Sequence, residues 1–155
     1  MDKHADFEYK KGNILTEDVE ALVNAVNCVG IMGRGIALQF KNAFPENCTA
    51  YKNFCRKGLL RPGIMFTFET KQSSNPRYII NFPTKRHWLN DSYMKDIDTG
   101  LVALRGVIIE KNIHSIAIPP LGCGLGGLDW SEVRPRIEKT LCGIYNLHVT
   151  IFEPN

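Results

Sequence analysis

The sequence predicts a single α/β domain in which a mixed sheet lies between layers of helices. Three observations predict it. Short apolar runs alternate along the chain with stretches whose apolar residues recur at helical spacing. The chain has 155 residues, 44% hydrophobic and 23% charged, and a chain of that size can bury roughly 68–70% of its unfolded surface in one core. Nothing divides it, since there is no internal repeat, low-complexity tract or Gly-, Ser- or Pro-rich linker.

The elements follow in order. Phe7-Glu8-Tyr9 alternates as a strand and runs into a turn at Gly12-Asn13. Ala21-Leu22-Val23-Asn24-Ala25-Val26 reads as a buried strand. From Gly35 to Phe44, Ile36, Phe40, Ala43 and Phe44 keep helical spacing, and Pro45 stops the run. A second helix is expected from Asn47 to Lys57, closed by Gly58. Ile64–Phe68 and Arg77–Asn81 read as strands joined through a hairpin-like turn at Lys71–Pro76. Ser92–Lys111 is a long amphipathic helix with Ile97, Leu101, Leu104 and Ile108 on one stripe. Ser115–Ile118 is a strand ended by Pro119-Pro120. Ser131 is expected to N-cap a helix with Val133, Ile137, Leu141 and Ile144 inward, Pro135 being tolerated near its first turn. His148–Phe152 is the last strand.

Composition narrows the function. No apolar run approaches the ~20 residues of a membrane helix. Met1-Asp2-Lys3-His4-Ala5-Asp6 lacks an apolar signal region, so a soluble, cytoplasmic protein is expected. The five cysteines (Cys28, Cys48, Cys55, Cys123 and Cys142) are odd in number and never spaced C-x-x-C, and the four histidines are scattered. That argues against a disulfide framework and a zinc site, and the cysteines read as small, mostly buried apolar residues. Residues 52–95 carry nine cations and two anions, net +7 against +3 for the chain, so the remainder carries −4. Such a division fits a face that meets a polyanion and fits a solvated, lysine-rich surface equally well.

Ligands of layered α/β folds sit beyond the carboxyl ends of the strands. Two loops there stand out: Asn27-Cys28-Val29-Gly30-Ile31-Met32-Gly33-Arg34-Gly35 and Gly122-Cys123-Gly124-Leu125-Gly126-Gly127. Neither is a P-loop or a dinucleotide fingerprint. Singly each reads as a tight turn; together they favour a phosphate-bearing ligand held by backbone N–H groups. A third segment, Asn81-Phe82-Pro83-Thr84-Lys85-Arg86-His87-Trp88, follows a strand. Lys85 is there a candidate nucleophile or electrostatic catalyst, and Trp88 a candidate for stacking a base. Composition alone reads the same segment as a basic surface turn.

These segments, with Gly12-Asn13-Ile14-Leu15 before them and Pro119-Pro120 leading through the second glycine loop to Leu128-Asp129-Trp130, resemble a macrodomain in the same order. This is the three-layer α/β/α fold that binds ADP-ribose. The resemblance covers nearly the whole chain and is strongest to the macrodomains of DarG-type antitoxins, relatives of the terminal ADP-ribose protein glycohydrolase class. It implies one macrodomain over residues 1–155, without the toxin-binding domain into which that family continues. It implies a glycohydrolase that frees thymidine bases of single-stranded DNA from ADP-ribose placed there by a DarT-type toxin. The partners so implied are ADP-ribose, ADP-ribosylated DNA and the toxin, with no cofactor, metal or membrane, for a monomer. A non-catalytic ADP-ribose reader and a hydrolase of modified protein are the alternatives.

By the same resemblance, Asn13 and Ile14 meet adenine and Asn27 lies near the ribose beside the scissile bond. Val29, Gly30, Ile31, Met32, Gly33, Arg34 and Gly35 fold over that ribose and the diphosphate. Gly122, Cys123, Gly124, Leu125, Gly126 and Gly127 bind the diphosphate, and Lys85 is catalytic. Trp88 is expected against the nucleic acid, with Arg86, Arg77 and Lys71 steering its phosphates. Arg86, burial, or both are expected to lower the pKa of Lys85. Two positions depart from the family: Asn13 stands where many members have aspartate, and Gly126 where the human relative has a second catalytic aspartate. The second departure shifts the chemistry onto Lys85.

Overall fold

Burial on both faces explains why four strands read as apolar runs rather than as alternation: Ala21–Val26, Tyr78–Pro83, Ser115–Ile118 and His148–Phe152 are almost wholly enclosed. The structure is a computed structural model that describes residues 4–155. Met1, Asp2 and Lys3, part of the polar N-terminus read above, lie outside the described residues. The elements are β1 (Asp6–Lys10), β2 (Ala21–Val26), α1 (Gly35–Ala43), α2 (Pro45–Arg56), β3 (Phe66–Glu69), β4 (Tyr78–Pro83), α3 (Met94–Glu110), β5 (Ser115–Ile118), α4 (Trp130–Leu141) and β6 (His148–Phe152). Short 3-10 turns stand at Ile14–Thr16 and Gly124–Gly126.

The strands form one sheet in the order β1-β6-β5-β2-β4-β3. All neighbours are parallel except β3, which pairs antiparallel with β4 through the expected hairpin. The sheet is therefore mixed, with helices on both faces. Ala21, Val23, Ile80, Phe82, Ile116, Ile118, Val149 and Ile151 pack against α3 and α4. The opposite face, with Leu22, Ile79, Ala117 and Val26, packs against α1 and α2 through Phe40, Ala37, Cys48 and Tyr51. Two polar residues of that face are paired inside it. The Asn81 amide donates to Asn47 Oδ1 (2.8 Å) and accepts from Asn24 and Asn47 (3.2 Å each).

Several boundaries differ from the expected ones. Pro45 ends α1 but also opens α2, because a first-turn residue needs no N–H; α2 thus starts before Asn47. Asp129, not Ser131, caps α4: its Oδ1 accepts from the Ser131 N–H at 2.9 Å. Pro135 consequently sits in the second turn of α4. β3 starts at Phe66 rather than Ile64, and β4 runs on to Pro83, where the last residue paired with β2 can lack an N–H. Cys48 is buried as expected, Cys28, Cys55 and Cys123 partly so, and Cys142 is exposed; all five are free thiols. Among the described residues no helix is long and apolar enough to cross a membrane, and no cluster of acidic, histidine and cysteine side chains could hold a metal ion.

Candidate functional site

Five parallel strands end on the same side of the molecule, and the loops leaving β2, β4 and β5 enclose a cavity of about 540 Å³ there. Its floor is Ala25, Val26, Ile36 and Ala37. Asn27, Ile31, Gly33, Arg34 and Gly35 come from the first glycine loop. Thr84, Lys85, Trp88 and Ser92 come from the segment after β4, and Pro119, Pro120, Gly122, Cys123, Leu125 and Gly126 from the loop after β5. The wall is mostly apolar with few polar groups, as small-molecule sites are.

The first loop is shaped from within. Asn27 Oδ1 accepts from the Val29 and Ile31 N–H groups and from the Tyr51 hydroxyl (2.8 Å), while its Nδ2 donates to the Ile31 carbonyl at 2.8 Å. The amide of Asn27 thus braces the loop as well as lining the cavity, and α2 holds it through Tyr51. At the loop's end Gly35 begins α1 with φ +62°, and a Cβ there would stand 3.3 Å from Leu125 Cδ1 of the other loop. No side chain caps α1, so its first N–H groups, at Gly35, Ile36 and Ala37 on the cavity wall, suit an anion.

The second loop is less open than its glycines suggest. The N–H groups of Cys123, Gly126 and Gly127 donate to the carbonyls of Pro120, Cys123 and Gly124, which leaves fewer donors for a ligand than a row of glycines implies.

Lys85 follows β4, partly buried on the cavity wall. Burial pushes its ammonium pKa down, the Arg34 guanidinium lowers it further, and Asp91 works against both. Arg86 is not the cation responsible. Its guanidinium forms a forked pair with the buried carboxylate of Asp96 (3.0 and 3.2 Å) and lies 5.3 Å from the Tyr93 ring centre. Its carbonyl accepts from the Cys28 N–H, tying the Lys85 segment to the first loop. Trp88 lines the cavity mouth, 39% exposed and stacked on His87.

Ser92 was missed in the sequence, where it read only as the start of a helix. It is 6% exposed, its N–H donates to the Gly126 carbonyl at 2.9 Å, and its hydroxyl has no hydrogen-bond partner. A Cβ on Gly126 would lie 2.4 Å from Ser92 Oγ. Gly126 is therefore a space requirement, and an aspartate side chain would not fit there without moving Ser92. Tyr51 was also missed; its only signal was an aromatic at the inner face of a helix.

The structure thus brings Asn27, Ile31, Gly33, Arg34, Gly35, Gly122, Cys123, Leu125, Gly126, Lys85 and Trp88 to one cavity. Others stand elsewhere. Met32 is buried beside Asn24 in the core, and Val29 and Gly30 lie on the outer side of the first loop, Gly30 against Cys55 and Lys52. Gly124 and Gly127 shape the second loop behind the wall. Asn13 accepts from the Leu15 N–H, and Ile14 is buried in the core, neither on the cavity wall. Arg77 precedes β4, and Lys71 lies in the hairpin, a strand length of about 20 Å from the cavity end. With Arg86 engaged by Asp96, the expected steering trio does not converge on Lys85.

A family model described as the macro domain matches residues 23–137. A DNA ADP-ribosyl glycohydrolase of Mycobacterium tuberculosis is 49% identical over 147 residues, covering 95% of this chain and 42% of that protein. The chain therefore spans about two-fifths of the length of the glycohydrolases it matches. The solved macrodomain of Thermus aquaticus DarG superposes with a TM-score of 0.94 at 46% identity, covering 97% of this chain and 99% of that one. Thermosipho africanus DarTG in complex with ADP-ribose superposes with a TM-score of 0.89 at 31% identity, covering 98% and 43%.

Proposed function

The chain belongs to the macrodomain family, and on that premise we propose that it is a glycohydrolase that removes ADP-ribose from thymidine in single-stranded DNA. The reading makes it the antidote to a transferase of DarT type. Relatives named for DNA ADP-ribosyl glycohydrolase activity and a related structure holding ADP-ribose support it. One observation carries it to chemistry: a lysine of lowered pKa on the wall of an ADP-ribose-sized cavity.

The bond to be broken joins the anomeric carbon of the terminal ribose to a thymine nitrogen. Unprotonated Lys85 Nζ attacks that carbon. The carbon–thymine bond breaks, its electron pair leaves on thymine, and thymine takes up the proton shed by the lysine nitrogen. Water then displaces the lysine, giving free ADP-ribose and the restored amine. The N-terminus of α1 and the glycine loops offset the diphosphate charge. Crowding at Gly126 supports a mechanism without a second catalytic carboxylate in that loop.

The test incubates the chain with a thymidine-ADP-ribosylated oligonucleotide and follows release of the unmodified strand by mass. The native chain is expected to release it. Lys85→Ala is expected to bind ADP-ribose within a few-fold of native and to lose at least a hundredfold in rate. The ribosyl-lysine adduct can open its ring to a protonated Schiff base, and cyanoborohydride added during turnover is expected to reduce it and so fix ADP-ribose onto Lys85. Turnover by Lys85→Ala at the native rate would sink the assignment, and ADP-ribose binding without release by the native chain would leave a reader or a hydrolase of modified protein.

A further inference from the structure

Ser92 presents an anomaly that the proposed reaction does not use. Its hydroxyl is the one buried side-chain group of the cavity wall, among the described residues, that has no hydrogen-bond partner. Leaving a buried hydroxyl unpaired destabilises a folded chain, and such groups are uncommon unless something else uses them. Alanine would fill nearly the same space without that cost.

The position is held from two sides. The Ser92 N–H is bonded to the Gly126 carbonyl, which fixes the backbone to the second glycine loop. Gly126 in turn leaves its Cβ space open beside Ser92 Oγ. Lys85 and Trp88 share the same segment and the same wall. A diphosphate would meet the N-terminus of α1 and the loop backbone and would need no serine. In the proposed reaction the group that faces Lys85 is different: a ribose whose hydroxyls both donate and accept, as a serine hydroxyl does.

We propose that Ser92 is a ligand-contacting residue whose hydroxyl pairs with an oxygen of the terminal ribose and orients its anomeric carbon toward Lys85. This rests on the glycohydrolase reading for the role of Lys85. The contact itself is a binding property that can be measured without turnover. Pairing with the ribose satisfies the hydroxyl only in the complex, so the free protein is destabilised and ligand binding relieves it.

Ser92→Ala and the native chain are compared in three measurements. In the free protein the variant's Tm is expected to rise by about 2–4 °C, the gain from removing one unpaired buried hydroxyl. By calorimetry its affinity for ADP-ribose is expected to fall about five- to tenfold, while its affinity for ADP, which lacks the terminal ribose, stays within twofold. Release of the modified oligonucleotide at saturation is expected to slow at least tenfold, since a misaligned ribose lowers kcat. Native ADP-ribose affinity in the variant would overturn the proposal, and so would equal weakening of ADP and ADP-ribose, which would assign the hydroxyl to the diphosphate. A fall in Tm with unchanged binding would also overturn it, by showing a purely structural bond. If the native chain binds ADP-ribose and leaves the oligonucleotide modified, the glycohydrolase reading fails while the binding comparison still decides the role of Ser92.

Discussion

At the residue scale the site turns on what lowers the pKa of one amine. Lys85 read as a candidate from its place after a strand and before Trp88, and burial was among the causes expected to lower its pKa, but the cation that adds to it was not legible. Sequence proximity pointed to Arg86, whereas Asp96, ten residues on, engages that guanidinium, and Arg34 from another loop faces Lys85 instead. Only the folded chain brings position 34 to position 85. The sign follows directly. A nearby positive charge disfavours the ammonium, so replacing it raises the lysine pKa. Arg34→Gln is expected to move the rising limb of the kcat–pH profile to higher pH and to lower kcat severalfold at pH 7, with the plateau largely restored in alkali. An unshifted limb with a uniformly lower plateau would mean that Arg34 only binds substrate. Asn27 shows the same dependence on the folded chain. The resemblance implied a ligand contact, yet its amide also braces its own loop and Tyr51, a division of labour that residue type does not reveal.

At the element scale, nearly every strand and helix was readable, because buried parallel strands are continuous apolar runs and their helices keep a clean stripe. The misplaced ends were those decided by competing caps and turns, such as Asp129 over Ser131, and Phe44, which closes α1 and caps α2 just before Pro45. Close packing between elements was not readable. Gly100 of α3 lies where a Cβ would stand 2.3 Å from the Phe82 ring of β4. Gly100→Ala is therefore expected to cost about 1–3 kcal/mol despite alanine's better helix propensity, seen as a lower urea midpoint at unchanged m-value. Edge strand β1 offers a second test. His148 of β6 bonds Asp6 (2.6 Å) and Glu8 (3.1 Å), and Asp6 first, then Glu8, raise its pKa above the ordinary 6.5. A raised histidine pKa stabilises the fold fully below the unfolded value and loses that contribution as pH climbs through the folded one. Tm is expected to decline as pH rises from about 6.5 through that raised value, and His148→Gln should flatten the decline; a parallel decline in both would discount the pair.

At the scale of the whole molecule, the charge division was visible in the sequence but its direction was not. The segment from 52 to 95 passes from the cavity end of α2, where Lys52 lies against Gly30, down β3 to the hairpin at the far end and back up β4. Its cations therefore serve two opposite ends. Neutralising Lys52 and Arg56 is expected to shrink the salt dependence of single-strand binding by about 0.7 in slope for each phosphate no longer neutralised, and neutralising Lys71 and Arg77 to leave it unchanged. Anisotropy titrations at several salt concentrations read both. The strand order has a consequence of another kind, for the timing of folding. Within the sheet β1 pairs with β6 alone, and the two meet across 142 residues, as at Asp6 and His148. β5, β2, β4 and the far edge strand β3 span only residues 21–118 and can pair while later residues are still being synthesised. The first strand made must wait for the last, so that edge is expected to be the last part of the sheet to form.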